Sequence, residues 1–174
     1  MCFLRITKGW YRTMAEDKIA YKNILAPVDG SKISTVLVEK AAAVAVRNNT
    51  TLDLLYVIDT NSLSGLAGMS ISGDVVYQLV QDAEEKLAKY QELAHNEGAK
   101  DVNIHVRFGS PKTVIARDFP ADHGNELIML GKSGLNTLER LLVGSVATFV
   151  VQNAKSDVLI AVSYTHLTLP TICS

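Results

Sequence analysis

Three glycines and a serine in the last third of the chain have the spacing of a phosphate-binding loop. Gly131 and Gly134 are separated by two residues, and nine further residues lead to Gly144 and Ser145. A short apolar run, 126–130, precedes the loop, and an apolar helix pattern follows it. Glycine lets a backbone approach a ligand closely, and a helix start offers unpaired N–H groups with partial positive charge. The pattern therefore indicates an anion site, where Ser145 either caps the helix or contacts the ligand.

The letters Gly131-Lys132-Ser133 look like the end of a P-loop, whose pattern is G-x-x-x-x-G-K-[ST]. The first glycine of that pattern would fall at position 126, which is Glu126. Residues 126–130 also have the apolar character of a strand, so no loop is left there to wrap a phosphate. The sequence argues against a true P-loop. Lys132 then either pairs with a phosphate or points into water.

The spacing Gly-x2-Gly-x9-Gly-Ser, together with the earlier segment Asn23 to Ser31, resembles the ATP-binding type of universal stress protein. The two motifs occur in the order that the family shows, and the resemblance covers residues 22–162. It implies that ATP is the bound cofactor, with Mg²⁺ bridging phosphate oxygens, because Mg²⁺ prefers phosphate and water ligands.

The resemblance also assigns roles to single positions. It implies that Pro27, Val28 and Asp29 touch the adenosine half of ATP, with Asp29 near the ribose or the metal. It implies that the backbone of Val57 recognises the adenine edge and that Leu130 packs near the sugar. The positions that it assigns to the phosphate cradle are Gly131, Gly134, Gly144, Ser145 and Val146, with Lys132 as an added candidate.

Segments of strand and helix length alternate along the chain and supply the scaffold for these positions. Five short apolar segments predict strands at 23–28, 52–58, 102–108, 126–130 and 157–162. Apolar residues at helical spacing fill the intervals, apart from a Ser-, Gly- and Asn-rich surface loop at 60–73. The pattern predicts one α/β domain with an open, mostly parallel five-stranded sheet and helices on both faces. The resemblance adds the strand order 3-2-1-4-5, as in adenine nucleotide alpha-hydrolase-like folds.

Several local expectations follow from the helix patterns. The first helix should begin at Ser31 or Ser34 and end at Asn48-Asn49. Pro120 should stop the third helix early. The long second helix should be capped by Asp74 and should bury one face, formed by Val75, Val76, Leu79, Val80, Ala83, Leu87, Tyr90 and Leu93.

Ligands of open parallel sheets bind outside the carboxyl ends of strands, where the strand order reverses. In the implied order that point lies between strands one and four, which end at Asp29 and Gly131. The two motifs should therefore meet at one crevice.

Histidine and cysteine positions give no metal-ligand pattern. His105 is interpreted as a half-exposed strand residue, and His123 as a loop histidine without matching Cys or His spacing. Cys2 and Cys173 lie near the ends and favour incidental thiols in a reducing compartment over a disulfide. No protein metal ligand is predicted, with Asp29 as the one candidate contact for Mg²⁺.

Composition limits the partners. The formal net charge is −1 and 20% of residues are charged, which gives no electrostatic reason to expect nucleic acid or an anionic membrane. No apolar run approaches the length of a membrane span, and the amino terminus does not have the pattern of a signal peptide. We expect a cytoplasmic protein.

The two ends differ in character from residues 21–162, which we interpret as the universal stress protein domain. Residues 1–20 are interpreted as an extension, since Met14 is as plausible a start as Met1. Residues 163–174 carry no acidic or basic side chain and resemble a translated cloning linker.

The predicted function is an ATP-binding regulatory or stress-response protein with at most slow hydrolysis. Asp29, Ser133, Ser145 and Lys132 can position a nucleotide, but Arg140 among its leucines is expected to point outward rather than clamp a γ-phosphate. One alternative is a family member that has lost nucleotide. Another is a nucleotide-dependent transferase or pyrophosphatase, whose H-x-G-H or S-G-G-x-D-S turns are absent.

The last strand is expected at a sheet edge, where an unprotected apolar strand invites pairing with another chain. The resemblance implies a homodimer through Asp157 to Val162, paired about a two-fold axis.

Overall fold

The computed structural model describes residues 20–60, 73–131 and 144–161. Five strands form one sheet in the order β3-β2-β1-β4-β5, and every neighbouring pair is parallel. The predicted fold class and strand order are therefore confirmed. The strands are β1 (Asn23–Val28), β2 (Thr51–Asp59), β3 (Val102–Gly109), β4 (Leu127–Gly131) and β5 (Asp157–Ala161).

Helices cover both faces of the sheet. The helical segments are α1 (Lys32–Asn48), α2 (Gly73–Asn96), α3 (Pro111–Thr113), a π-helical turn (Val114–Asp118), α4 (Phe119–His123) and α5 (Ser145–Asn153). One core cluster lies under α1 and α2, with Val38 and Leu87 fully buried. The other lies under α3 to α5, with Phe119 and Val150 fully buried. Within the described ranges, no helix is both long and apolar enough to cross a membrane.

Helix α1 has the ends that the sequence predicts. Ser31 is its N-cap residue, and Asn49 ends it in the left-handed region with φ of 49°. Asparagine tolerates that region better than most residues because its short side chain bonds locally. Ser34, the other candidate cap, is a buried residue of the first turn instead.

The expectation that Pro120 stops the third helix is wrong. The helical path continues to His123, because a wide turn at 114–118 lets the N–H of Phe119 bond to the carbonyl of Val114. Pro120 thus falls in the first turn of α4, where its missing N–H costs little. His123 is the last residue of α4 rather than a loop residue, and its ring stacks on Phe119 at 3.8 Å between centroids.

Only part of the predicted apolar face of α2 is buried. Ala83 and Leu87 lie in the core, whereas Val75 is 47% exposed. Asp74 belongs to the first turn of the helix and is not its cap. At about 1.5 Å per residue, a 24-residue helix is longer than the eight-residue strand β3 that it covers. Among the described residues, therefore, no strand lies beneath the first turns of α2 to bury their apolar side chains.

A buried carboxylate in β2 bonds to β3 and to the turn between α4 and β4. Asp53 is 3% exposed and accepts hydrogen bonds from Asn125 Nδ2 at 2.8 Å and Asn103 Nδ2 at 3.0 Å. Nε2 of His105 lies 3.3 Å from the same carboxylate, and the side chain of His105 is 24% exposed. His105 is thus a partly exposed strand residue, as predicted, although the sequence analysis did not identify its partner.

Candidate functional site

The first feature of the site is the early end of backbone pairing between β1 and β4. These strands are neighbours at the point where the strand order reverses, which is where open α/β sheets bind ligands. Pairing between β1 and β2 runs as far as Val28, but pairing between β1 and β4 stops at Leu25 and Ile128.

Pro27 gives a physical reason for this early end of pairing. The N–H of Glu126 bonds to the carbonyl of Asn23, so the backbone of every second residue from Asn23 faces β4. Pro27 belongs to that set and has no N–H to continue the ladder. The carboxyl ends of β1 and β4 can therefore separate and leave a crevice.

Asp29 lies at the mouth of this crevice, one residue past β1. Its Oδ1 accepts from the N–H of Ser31 at 2.9 Å and from the hydroxyl of Ser34 at 2.7 Å. Its own N–H donates to Ser34 Oγ at 3.1 Å. Partial burial would raise the pKa of Asp29, but the bonds from Ser31 and Ser34 outweigh it and lower the pKa below the usual value. Asp29 is thus an exposed, ionised carboxylate held in one orientation.

Ser34 is the residue of this corner whose role sequence reasoning missed. It is 4% exposed and lies on the buried face of α1, which is otherwise apolar. A buried hydroxyl needs partners, and both of its bonds go to Asp29. The sequence does contain a signal for this role: a serine lies on the apolar side of a helix, five residues after an aspartate at a strand end.

Gly131 ends β4 on the opposite side of the crevice, and its lack of a side chain has a packing reason. A Cβ at this position would lie 2.5 Å from Cγ2 of Ile33 in α1. Such a contact cannot exist unless the side chain of Ile33, the strand or the helix moves, because carbon atoms normally stay about 3.5–4.0 Å apart. The close approach of α1 to β4 is enough to explain Gly131 without a ligand.

The start of α5 carries backbone donors. Gly144 is the N-cap residue, with φ of −55° and ψ of 157°, so the alternative in which Ser145 caps the helix is wrong. Ser145 is the first helical residue and is exposed. The first helical bond runs from Thr148 N–H to the Gly144 carbonyl. The N–H groups of Ser145 and Val146 therefore have no partner within the helix.

The positions implied for the adenosine half lie on the same edge of the sheet. Pro27 and Val28 end β1, Val57 is near the end of β2, and Leu130 is near the end of β4. The N–H of Leu52 bonds to the carbonyl of Asp101, so alternation turns the backbone of Val57 toward β1. Because β1 pairs only as far as Tyr56, the Val57 carbonyl lies beyond the last paired residue.

Lys132, Gly134 and the rest of the loop to residue 143, including Ser133 and Arg140, lie outside the described residues. Within the described ranges, no group of three His, Cys, Asp or Glu side chains could hold a metal ion. Asp29 is the acidic side chain at the crevice mouth. A divalent ion there would need oxygen atoms from its ligand, which fits an ion that arrives with phosphate groups.

Comparison with known proteins agrees with this architecture. Residues 20–161 match the model of the universal stress protein family. A putative universal stress protein of Staphylococcus epidermidis is 41% identical over 142 residues, which are 82% of this chain and 84% of that protein. A putative universal stress protein of Staphylococcus aureus is 40% identical over the same length.

Solved structures share the fold. The universal stress protein UspA from Lactobacillus plantarum superposes with a TM-score of 0.67 at 28% identity, covering 82% of this chain and 99% of that one. A universal stress protein solved in complex with cAMP superposes with a TM-score of 0.60 at 23% identity, covering 81% and 96%. Because the family model matches the whole described sheet and these relatives are 40–41% identical, the chain belongs to the universal stress protein family.

Proposed function

We propose that this protein binds ATP, with Mg²⁺ held through the phosphates, in the crevice between β1 and β4. The observation that carries the proposal is the end of β1–β4 pairing at Leu25 and Ile128, before Pro27, with ionised Asp29 at the mouth of the opening. A ribose presents hydroxyl groups, which donate well to a fixed carboxylate. The Val57 carbonyl beyond the ladder suits the exocyclic amino group of adenine.

The phosphates would lie at the start of α5. The free N–H groups of Ser145 and Val146 and the helix dipole favour anions there. Lys132, Gly134 and Gly144 would complete the cradle, as the family motif implies. The likeness to the structure in complex with cAMP supports the fold alone, so the choice of ATP rests on the motif and on this geometry.

We further propose a regulatory, stress-response role in the cytoplasm rather than proficient catalysis. The described part of the crevice offers positioning groups but no base aimed at a nucleophile and no arginine aimed at a phosphate. Phosphoryl transfer depends on both kinds of group. Hydrolysis should therefore be far below about one turnover per second, the low end for ordinary enzymes.

Thermal unfolding with and without Mg-ATP tests the site, with Ser145→Glu as the decisive variant. A glutamate in the first turn of a helix is favourable by about 0.3–1 kcal/mol, so the variant should fold, yet its charge repels phosphate. Gln152→Glu is the matched control: it adds the same charge to an exposed position seven residues on, about 10 Å along α5.

The parent and Gln152→Glu should be stabilised by about 2.7 kcal/mol at a hundredfold excess over the dissociation constant. For a domain of this size that is a shift of about 5–10 °C, and Ser145→Glu should lose most of it. Absence of any shift, with no nucleotide retained through purification, would instead favour the family member without nucleotide. Rapid release of pyrophosphate or AMP transfer would favour the transferase or pyrophosphatase.

The outer edge of β5 supports a homodimer through Asp157 to Val162, of which Val162 lies outside the described residues. The N–H of Asp157 bonds to the Glu126 carbonyl, so alternation turns the backbone of Val158 and Ile160 outward. Light scattering should give twice the 18.9 kDa chain mass, and Ile160→Lys should give the monomer. A monomeric parent chain would refute the dimer.

A further inference from the structure

At the opposite edge of the sheet, part of the backbone ladder of β3 has no partner among the described residues. The carbonyl of Asp101 accepts from Leu52 of β2, so the alternate residues Val102, Ile104, Val106 and Phe108 turn their backbone groups away from β2. Val102 has a partner on that side, because Gln91 Nε2 of α2 donates to its carbonyl at 2.7 Å. The three residues above it have no such bond to the described residues. Within the described part of the chain, the edge is therefore blocked at Val102 and available for pairing from Ile104 to Phe108.

An apolar groove runs beside this open edge. It has a volume of about 590 Å³ and lies between β3 and α2, with Val80, Leu87 and Ala88 on the helix side. Ile104, Val106 and Phe108 form the strand side. Phe108 is 46% exposed, a large apolar side chain left in water. Exposed apolar surface next to unpaired backbone is the combination on which added strands bind.

The charge of the groove is acidic. Glu84 and Glu85 are the charged residues that line it, and both are exposed. Two copies of the chain joined edge to edge about a two-fold axis would bring these carboxylates toward their own copies, and like charges repel across such an interface. The charge thus disfavours a second copy and favours a basic partner.

We propose that the groove between α2 and β3 docks an extended peptide segment of another protein, with apolar residues and Lys or Arg alternating along the one strand face that meets α2, two positions apart in sequence. The segment adds to β3 as a sixth strand and hydrogen-bonds to Ile104, Val106 and Phe108. Its apolar side chains enter the groove, and its basic side chains pair with Glu84 and Glu85. This site lies at the sheet edge farthest from β5, and β2 separates it from the crevice between β1 and β4.

Residue-resolved hydrogen exchange of the full chain tests the proposal. The probe is a synthetic peptide of about ten residues, long enough for one strand, with the repeat Val-Thr-Lys-Thr, which places valine and lysine on one face and threonine on the other; the matched peptide has glutamate in place of lysine. The amides of Ile104, Val106 and Phe108 should exchange quickly in the free chain. The lysine peptide should slow them at least tenfold and the glutamate peptide should not.

Variants of exposed residues locate the contact. Phe108→Ala and Glu84→Lys should weaken lysine-peptide binding, the latter by about fivefold, since one surface ion pair is worth up to about 1 kcal/mol. Asp82→Lys makes the same charge change on α2 away from the groove and should bind normally.

Three results would overturn the proposal. If the three amides are already protected in the free chain, another part of this chain or a second copy occupies the edge. If a saturating concentration of lysine peptide slows none of them, the groove does not add a strand. Equal weakening by Glu84→Lys and Asp82→Lys would mean that the peptide senses net charge and not this groove.

Discussion

The contact between Gly131 and Ile33 makes a prediction that separates packing from ligand binding at the crevice. A Cβ at position 131 would lie 2.5 Å from Cγ2 of Ile33, about 1 Å closer than carbon atoms normally approach. The backbone of Gly131 does not require positive φ. Gly131→Ala therefore introduces one steric conflict and no backbone strain.

The size of the effect follows from two opposing contributions. Crowding of a packed site by an added methyl group costs about 1–3 kcal/mol. Loss of glycine freedom in the unfolded chain gives back about 0.4–1 kcal/mol where the backbone is compatible. Gly131→Ala should thus destabilise the fold by about 1–2 kcal/mol, which lowers Tm by about 2–8 °C. Ile33→Ala removes Cγ2, and in that background the same glycine change should be neutral or stabilising.

A double-mutant cycle tests this explanation. Chemical denaturation without nucleotide gives the free energy of unfolding of the parent, of both single variants and of the double variant. The coupling between the two positions should be at least 1 kcal/mol, well above the additive limit for independent sites of about 0.5 kcal/mol. Additive effects would refute the packing explanation. Gly131 would then owe its identity to the ligand or to the loop that follows it.

Three further predictions concern stability alone. Asp53→Ala leaves the buried amide of Asn125 without its acceptor and removes the partner of Asn103. It should cost about 1–3 kcal/mol, as an unsatisfied buried polar group does, measured by urea unfolding; a cost below about 1 kcal/mol would contradict it. Burial raises the pKa of Asp53, but the hydrogen bonds from His105, Asn103 and Asn125 lower it overall. The contribution of Asp53 to stability is therefore present above the unfolded pKa of about 3.9 and is lost as pH falls from there through the lower pKa of the folded state. Asp53→Asn should lose less stability in acid than the parent. Asn49, with φ of 49°, should tolerate Gly but lose about 1 kcal/mol on change to Ala, and equal Tm values for the two variants would argue against the left-handed cap.

The sheet could be predicted from the sequence because its strands are short apolar runs separated by turn residues and amphipathic helices. β1 and β4 carry almost no polar side chain between their ends, as expected of strands buried on both faces. The end of α1 at Asn49 could also be predicted, because asparagine is a residue type that tolerates the left-handed backbone of a helix end. The crevice itself could be placed because strand order, once known, fixes where carboxyl ends meet.

The features that sequence missed depend on contacts between distant segments. The bonds around Asp53 join residues 50 and 72 positions apart, and no local pattern specifies such a pairing. The prediction that Pro120 ends the helix was wrong because a π-helical turn has no periodic pattern in the sequence that would predict it. The packing role of Gly131 depends on how closely α1 approaches β4. That distance is set by Ile33, which lies far earlier in the chain, and not by the loop motif.

The central claim is that the crevice between β1 and β4 binds ATP. Equilibrium dialysis of the full chain against labelled ATP and Mg²⁺, after removal of any retained nucleotide, measures this directly. We expect saturable binding of one ATP per chain, which unlabelled ATP competes with and which is lost in Ser145→Glu but kept in Gln152→Glu. No saturable binding, or binding that Ser145→Glu leaves unchanged, would contradict it.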